Sequence, residues 1–261
     1  MEMPYINPVF LSIGPLQFRW YGLMYVISFV IAYFVVKGQA QKRNLPLDSE
    51  AVADLIFFMA VGVVLGGRLG YVLFYDLKAY LAQPLKIFAI WEGGMSFHGG
   101  LLGVAVAGII YASKKKIPYL QLADLAAFAA PVGLGLGRIG NFINGELYGR
   151  PTTMPWGIIF PEGGSLPRHP SQLYESFLEG LVLFFLVRLA ARAVPVPGSA
   201  MASFLAGYGL FRSFVELFRQ PDSQLGLFFG GVSMGQILSL PLFFAGMAML
   251  YVLNMKKGSF K

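Results

Sequence analysis

Residues 52–75 read VADLIFFMAVGVVLGGRLGYVLFY. Only Asp54 and Arg68 carry charge in that run. As a helix it would extend about 36 Å, enough to cross the roughly 30 Å of hydrocarbon in a bilayer. The stretch therefore reads as a membrane span. It also raises a functional question, because an arginine near the bilayer centre costs about 2.5–3.5 kcal/mol even on a lenient insertion scale. Arg68 needs a partner or a task.

The rest of the chain fits the same class. Its 261 residues are 56% hydrophobic and 13% charged, with a mean hydropathy of +0.64, whereas a soluble domain carries about 25% charged residues. The fold class expected is all-α, a polytopic membrane bundle of about seven helices, at about 18–36, 52–75, 95–113, 121–143, 172–191, 200–218 and 235–254. The third is weakened by its short apolar run and the fifth by Glu175 and Glu179, so either could be partly interfacial. Glycines crowd the spans, as in Val61 to Gly70 and Gly133 to Gly140. In lipid such small residues let helix backbones approach closely. Residues 1–261 read as one integral membrane domain, with external caps at about 76–94 and 144–171.

The net charge of +7 does not indicate nucleic acid, because the basic residues punctuate apolar segments. Lys37, Lys42, Arg43, Lys114, Lys115, Lys116, Arg188, Arg192, Lys256, Lys257 and Lys261 fall at the ends of spans one, three, five and seven. Only Arg19, Lys78, Lys86, Arg150, Arg168 and Arg219 fall on the opposite side. The positive-inside rule then places the amino terminus outside and the carboxyl terminus in the cytoplasm. Met1 to Asn7 lacks the basic start of a cleavable signal peptide, so the first span is expected to persist. With no cysteine, the chain has no disulfide, thiolate ligand or cysteine nucleophile of its own.

Arg68, Arg138 and Arg212 lie roughly 20, 24 and 18 Å along outward-running helices, in the outer half of the bilayer. On one helix Tyr208, Arg212 and Glu216 are spaced i, i+4, i+8, which stacks them on one face. On another, Arg138, Asn141 and Asn144 follow at i, i+3, i+6 and lead to Glu146 and Gly149. His98 opens the third span among glycines, and Arg19 and Tyr21 open the first. Each has a plainer reading. Arg212 and Glu216 taken alone would only neutralise each other. Arg68 reads as structural, an ion-pair or carbonyl partner. Trp20 and Trp91 read as interfacial anchors, and Asp124 and Glu179 as interfacial or interhelical polar contacts. Taken jointly, two guanidiniums at headgroup depth suit a phosphate, which their planar forks bind through paired charge-assisted hydrogen bonds. A phosphodiester lipid such as phosphatidylglycerol fits. Histidine, with an unperturbed pKa near 6.5, suits proton acceptance. His98 and His169 are the only histidines, and no metal site is expected.

The run Gly137-Arg138-Ile139-Gly140-Asn141-Phe142-Ile143-Asn144-Gly145-Glu146-Leu147-Tyr148-Gly149 resembles the signature of the bacterial prolipoprotein diacylglyceryl transferase family. Further segments agree with it: Trp20 to Tyr25, Gly66 to Tyr71, Gly94 to Gly100, Arg168 to Glu175, and Tyr208 to Arg212 running on to Glu216 and Arg219 to Asp222. The resemblance spans nearly the whole chain. It implies a seven-helix inner-membrane enzyme with its active site toward the periplasm. Such an enzyme moves the diacylglyceryl group of phosphatidylglycerol to the lipobox cysteine thiol of a prolipoprotein, forming a thioether and releasing glycerol 1-phosphate. It implies catalytic roles for His98, Arg138 and Arg212, and substrate-binding roles for Tyr21, Asn141, Glu146, Gly149, Tyr208 and Glu216, beside which Asn144 is placed by its spacing. The partners are the lipid, the prolipoprotein signal peptide and membrane lipids, with no nucleic acid; no cofactor is implied. Arg150 to Pro167 looks shorter than in some relatives, which bears on how the cap grips the prolipoprotein. Whether His98 takes the thiol proton or Arg212 stabilises the thiolate stays open. The rival readings are a transporter or flippase of an anionic phospholipid, disfavoured by the lack of internal repeats, and a non-catalytic scaffold.

Overall fold

A computed structural model describes residues 1–4, 6–14, 16–89, 93–221, 227–228 and 231–259. Trp91, Asp222 and Lys261 lie outside the described residues, as do the side chains of His98, Lys256 and Lys257. Two compact units are formed, one from Met1–Val36 with Asp124–Lys261, the other from Lys37–Ala123.

Seven long helical segments occur among the described residues: α1 (Trp20–Lys42), α2 (Ser49–Phe74), α4 (Phe97–Lys115), α5 (Tyr119–Ile143), the pair α6 (Ser171–Glu175) and α7 (Leu183–Ala193), α8 (Ser199–Val215) and α9 (Met234–Ser259). α6 runs into α7 through a π-helical turn, Ser176–Val182. A short helix, α3 (Leu77–Ala82), follows α2. Among the described residues, four helices are long and apolar enough to cross a membrane: Trp20–Lys42, Ser49–Phe74, Tyr119–Ile143 and Met234–Met255. Two of the others carry polar residues: α6–α7 holds Glu175, Glu179, Arg188 and Arg192, and α8 is only 17 residues long and includes Arg212. The protein is an all-α, polytopic membrane protein.

The first helix differs from the expected 18–36. Phe18 and Arg19 belong to a hairpin of β1 (Val9–Ile13) and β2 (Leu16–Arg19). At its other end α1 continues through the good helix formers Gln39, Ala40 and Gln41 to Lys42. Outside lipid a helix no longer needs apolar side chains. A second hairpin, β3 (Leu227–Phe228) with β4 (Val232–Ser233), precedes α9.

In the second unit, Asp48 starts α2 by accepting the Ala51 N–H at 2.8 Å, which satisfies an otherwise orphaned donor. α2 and α4 run antiparallel with their backbones in contact: a Cβ on Gly66 would stand 2.3 Å from the Gly99 carbonyl oxygen, and one on Gly103 2.0 Å from that of Gly62. Any side chain there would force the helices apart. Arg68 of α2 is only 3% exposed. Its Nε donates to Ile87 O (2.9 Å), Nη1 to the carbonyls of Gly93 and Gly94, and Nη2 to those of Lys86 and Ala89. All five guanidinium donors are spent on the chain after α3. Arg68 is thus the carbonyl partner its setting suggested.

In the first unit, Asp124 of α5 accepts the N–H groups of Gly198 and Met201, each at 2.9 Å, capping the start of α8. This is the interhelical polar contact expected of it. Apolar packing of Ala127 and Phe128 against Leu183, Val187, Ala191 and Ala200 sets α5, α7 and α8 side by side. Residues 144–170 fold back on the end of α8. Gly149 N–H donates to His169 O (2.8 Å), His169 N–H to Arg150 O (3.0 Å) and Arg150 N–H to Phe218 O (2.8 Å). The Met1 ammonium donates to Gly157 O at 2.9 Å. Gly149 is required by close approach, since its Cβ would lie 2.5 Å from Phe218 O.

Candidate active site

Three helices of the first unit bring their charges to one carboxylate. Glu175, at the end of α6, is fully buried. Its Oε2 receives Arg138 Nε from α5 at 2.7 Å and Arg212 Nη1 from α8 at 2.6 Å, while its Oε1 receives Arg219 Nη1 at 3.0 Å. Glu216 adds a second node: its Oε1 accepts from Arg212 Nη2 and lies 3.8 Å from Arg219 Nε. Three guanidiniums would repel one another strongly inside a protein, and the shared carboxylates hold them together. The Arg138 side chain keeps 20% of its surface exposed, against 12% for Arg212 and 10% for Arg219. Of the three it is the most open to a ligand.

A chain of amides and one carboxylate continues outward from Arg138. Its Nη1 is 3.4 Å from Asn141 Oδ1; Asn141 Nδ2 and Asn144 Nδ2 then donate to Glu146 Oε1 at 2.8 and 3.2 Å. Gln172 Nε2 fixes the same stretch by donating to Glu146 O at 2.6 Å. Tyr21 pairs its hydroxyl with that of Tyr25 at 3.0 Å and packs where a Cβ on Gly140 would touch its ring at 2.8 Å. Tyr208 stacks on Phe204 and lies within the electrostatic reach of Arg212, Arg138 and Glu179. Gly149 takes part through its backbone, joining the segment after α5 to the end of α8. His98 belongs to α4 of the other unit, and its side chain lies outside the described residues.

The paired reading of Arg212 with Glu216 holds, but it is one edge of a larger network. Reading the sequence alone missed Glu175 and Arg219 as members. Arg219 falls at i+7 from Arg212 and i+3 from Glu216, a spacing that would put it on their face were the helix to run on past Val215, where α8 ends. Glu175 and Glu179 are i, i+4 in an otherwise apolar helix, a placement that is costly unless used. Glu179 is also fully buried, with Oε1 4.0 Å from Arg212 Nη1.

His169, just before α6, is held by its ring neighbours Tyr174 and Phe218, with Nδ1 3.1 Å from Tyr174 Oη. Burial lowers its pKa below the ordinary 6.5. The arrangement as a whole offers a partly open guanidinium fixed by buried carboxylates, with amides alongside. Such a group binds an oxyanion and stabilises charge growing on it, without losing its own proton.

Residues 8–252 match the family model described as prolipoprotein diacylglyceryl transferase. The chain is 59% identical over 257 residues to the phosphatidylglycerol--prolipoprotein diacylglyceryl transferase of Geobacter sulfurreducens, covering 98% of this chain and 99% of that protein. It is 53% identical over 250 residues to the enzyme of the same name from Vibrio vulnificus (96% and 92%), and 51% identical over 261 residues to that of Vibrio cholerae (100% and 96%). With its arginines gathered on one buried glutamate and these matches running nearly end to end, the chain belongs to the prolipoprotein diacylglyceryl transferase family.

Proposed function

We propose that the protein transfers the diacylglyceryl group of phosphatidylglycerol to the lipobox cysteine of a prolipoprotein, forming a thioether and releasing glycerol 1-phosphate. The observation that carries the reading is the convergence of Arg138 and Arg212 on Glu175. The enzyme sits in the bacterial inner membrane with its amino terminus periplasmic, its carboxyl terminus cytoplasmic and its active site toward the periplasm. Residues 76–94 and 144–171 form external caps on one integral membrane domain.

The reaction is a displacement at the glyceryl carbon bonded to phosphate oxygen. Arg138 holds the phosphate, and its hold tightens as the leaving group gains charge, which is what lowers the barrier. Arg212, oriented by Glu175 and Glu216, adds positive field where sulfur approaches. A free thiol with a pKa near 8.5 is mostly protonated at neutrality, so His98 as base or Arg212 as thiolate stabiliser assists the attack. Tyr21, Asn141, Asn144, Glu146, Gly149, Tyr208 and Glu216 shape the binding of the lipid head and peptide.

Incubating the purified protein with phosphatidylglycerol and a lipobox peptide tests this by mass. The expected product is a thioether-linked diacylglyceryl adduct. Arg138→Ala should lower its formation by about 100- to 1,000-fold in a protein that still inserts and folds. Undiminished turnover in that variant would remove the phosphate site, and lipid movement without adduct would point to transport.

A further inference from the structure

Glu179 is the one carboxylate of the cluster that its arginines leave without a hydrogen bond. It is fully buried, neither oxygen has a hydrogen-bond partner among the described residues, and the nearest guanidinium nitrogen, Arg212 Nη1, stands 4.0 Å away. Glu175, by contrast, spends both oxygens on three arginines. A buried carboxylate without donors is costly, and it marks a place where a ligand group belongs. Glu179 also sits in the π-helical turn Ser176–Val182, a distortion frequent at functional sites.

Its position suits one ligand group. Under the transfer reading, on which this inference rests, the helix enters the membrane from the cap at Ser171. Glu179 then lies about one turn, roughly 5 Å, deeper than Glu175. The phosphate lies at the level of Arg138, and the glyceryl carbon under attack lies on its acyl side. Displacement requires sulfur to approach that carbon opposite the leaving oxygen, again from the deeper side. We propose that Glu179, rather than His98, accepts the proton of the incoming cysteine thiol, with Arg212 left to stabilise the thiolate. The S–H bond breaks and its proton passes to a Glu179 oxygen. The sulfur pair forms the S–C bond, and the C–O bond breaks with its pair left on the phosphate oxygen. Glu179 then returns the proton to the departing phosphate, so atoms and charge balance without a further reactant. The charged and titratable groups acting on Glu179 are Glu175 on its own helix, Arg212 and Tyr208 from α8, Arg138 from α5, and Arg219 beyond α8.

The test is the single-turnover transfer rate of Glu179→Gln, a substitution that keeps the shape, followed between about pH 6 and 9. The expected result is a rate lower by about 100- to 10,000-fold, with KM for phosphatidylglycerol changed less than about threefold. The residual rate should climb about tenfold per pH unit up to about pH 8, as preformed thiolate accumulates, and level off above the thiol pKa near 8.5. Glu179→Asp should retain the wild-type pH profile at a reduced rate, and formate should restore part of the turnover of Glu179→Ala. A wild-type rate and profile in Glu179→Gln overturns the proposal. So does a loss of rate matched by lost lipid affinity, with an unchanged profile and no formate rescue, since that is a structural role. Should the unaltered protein form no thioether, the transfer reading itself fails, whatever Glu179 does.

Discussion

Replacing Glu175 by Gln removes one charge from a place where three cations meet. The carboxylate is fully buried, accepts charge-assisted hydrogen bonds at 2.6 and 3.0 Å from Arg212 and Arg219, and forms an ion pair with Arg138 Nε at 2.7 Å. Each such bond is worth about 1.5–3 kcal/mol, and they are not additive because the donors share two oxygens. The larger effect is what remains: guanidiniums in a low-dielectric interior with only Glu216 and the more distant Glu179 to balance them. Breaking a buried ion pair by deleting one partner costs about 3–5 kcal/mol. That amounts to a shift of roughly 100- to several thousand-fold in the unfolding equilibrium. Reversible unfolding in mixed micelles would report it. A paired experiment isolates the cause, because adding Arg219→Gln to Glu175→Gln removes one of the stranded charges and should recover part of the loss. Stability unchanged by Glu175→Gln, or strict additivity of the two substitutions, would refute the view that one carboxylate holds the arginines in place.

Gly149→Ala places a Cβ about 2.5 Å from Phe218 O and 2.7 Å from His169 O, so residues 149–169 must shift away from the end of α8. The overpacking cost is about 1–3 kcal/mol, and faster amide exchange over residues 149–169 should report it. Burial lowers the His169 pKa, so the unfolded chain binds its proton more readily than the folded one. That contribution to stability is present above pH ~6.5 and is lost as pH falls through the lower folded value. The melting temperature should therefore drop more between about pH 8 and 5.5 in the wild type than in His169→Gln, and equal drops would remove this residue as the cause.

All seven expected segments occur as helices, and four of them, among the described residues, were legible by apolar length alone because that length is what crossing a membrane demands. Arg138, Arg212 and Glu216 were legible because a charge inside such a segment demands a partner. What escaped was the rotational phase of one helix against another. Glu175 and Glu179 stood in plain view but read as weaknesses of the fifth span; only the packing of α5, α6 and α8 turns Glu175 toward three arginines. Arg219 reads as an exterior residue from its place in the chain, since nothing local reveals that it is buried against Gly149 and paired with Glu175. The π-helical turn at Ser176–Val182 and the hairpin before α1 leave no periodic trace in the residues that form them.

The sharing of Glu175 also orders events during synthesis. Arg138 leaves the ribosome 37 residues ahead of the glutamate that receives it. At about 5–20 residues per second it waits roughly 2–7 s for that counter-charge. Arg212 has its acceptor already made. α5 must therefore be sheltered, at the insertion channel or against α1, until the helix bearing Glu175 arrives, and a ribosome stalled between the two would strand a cation in lipid.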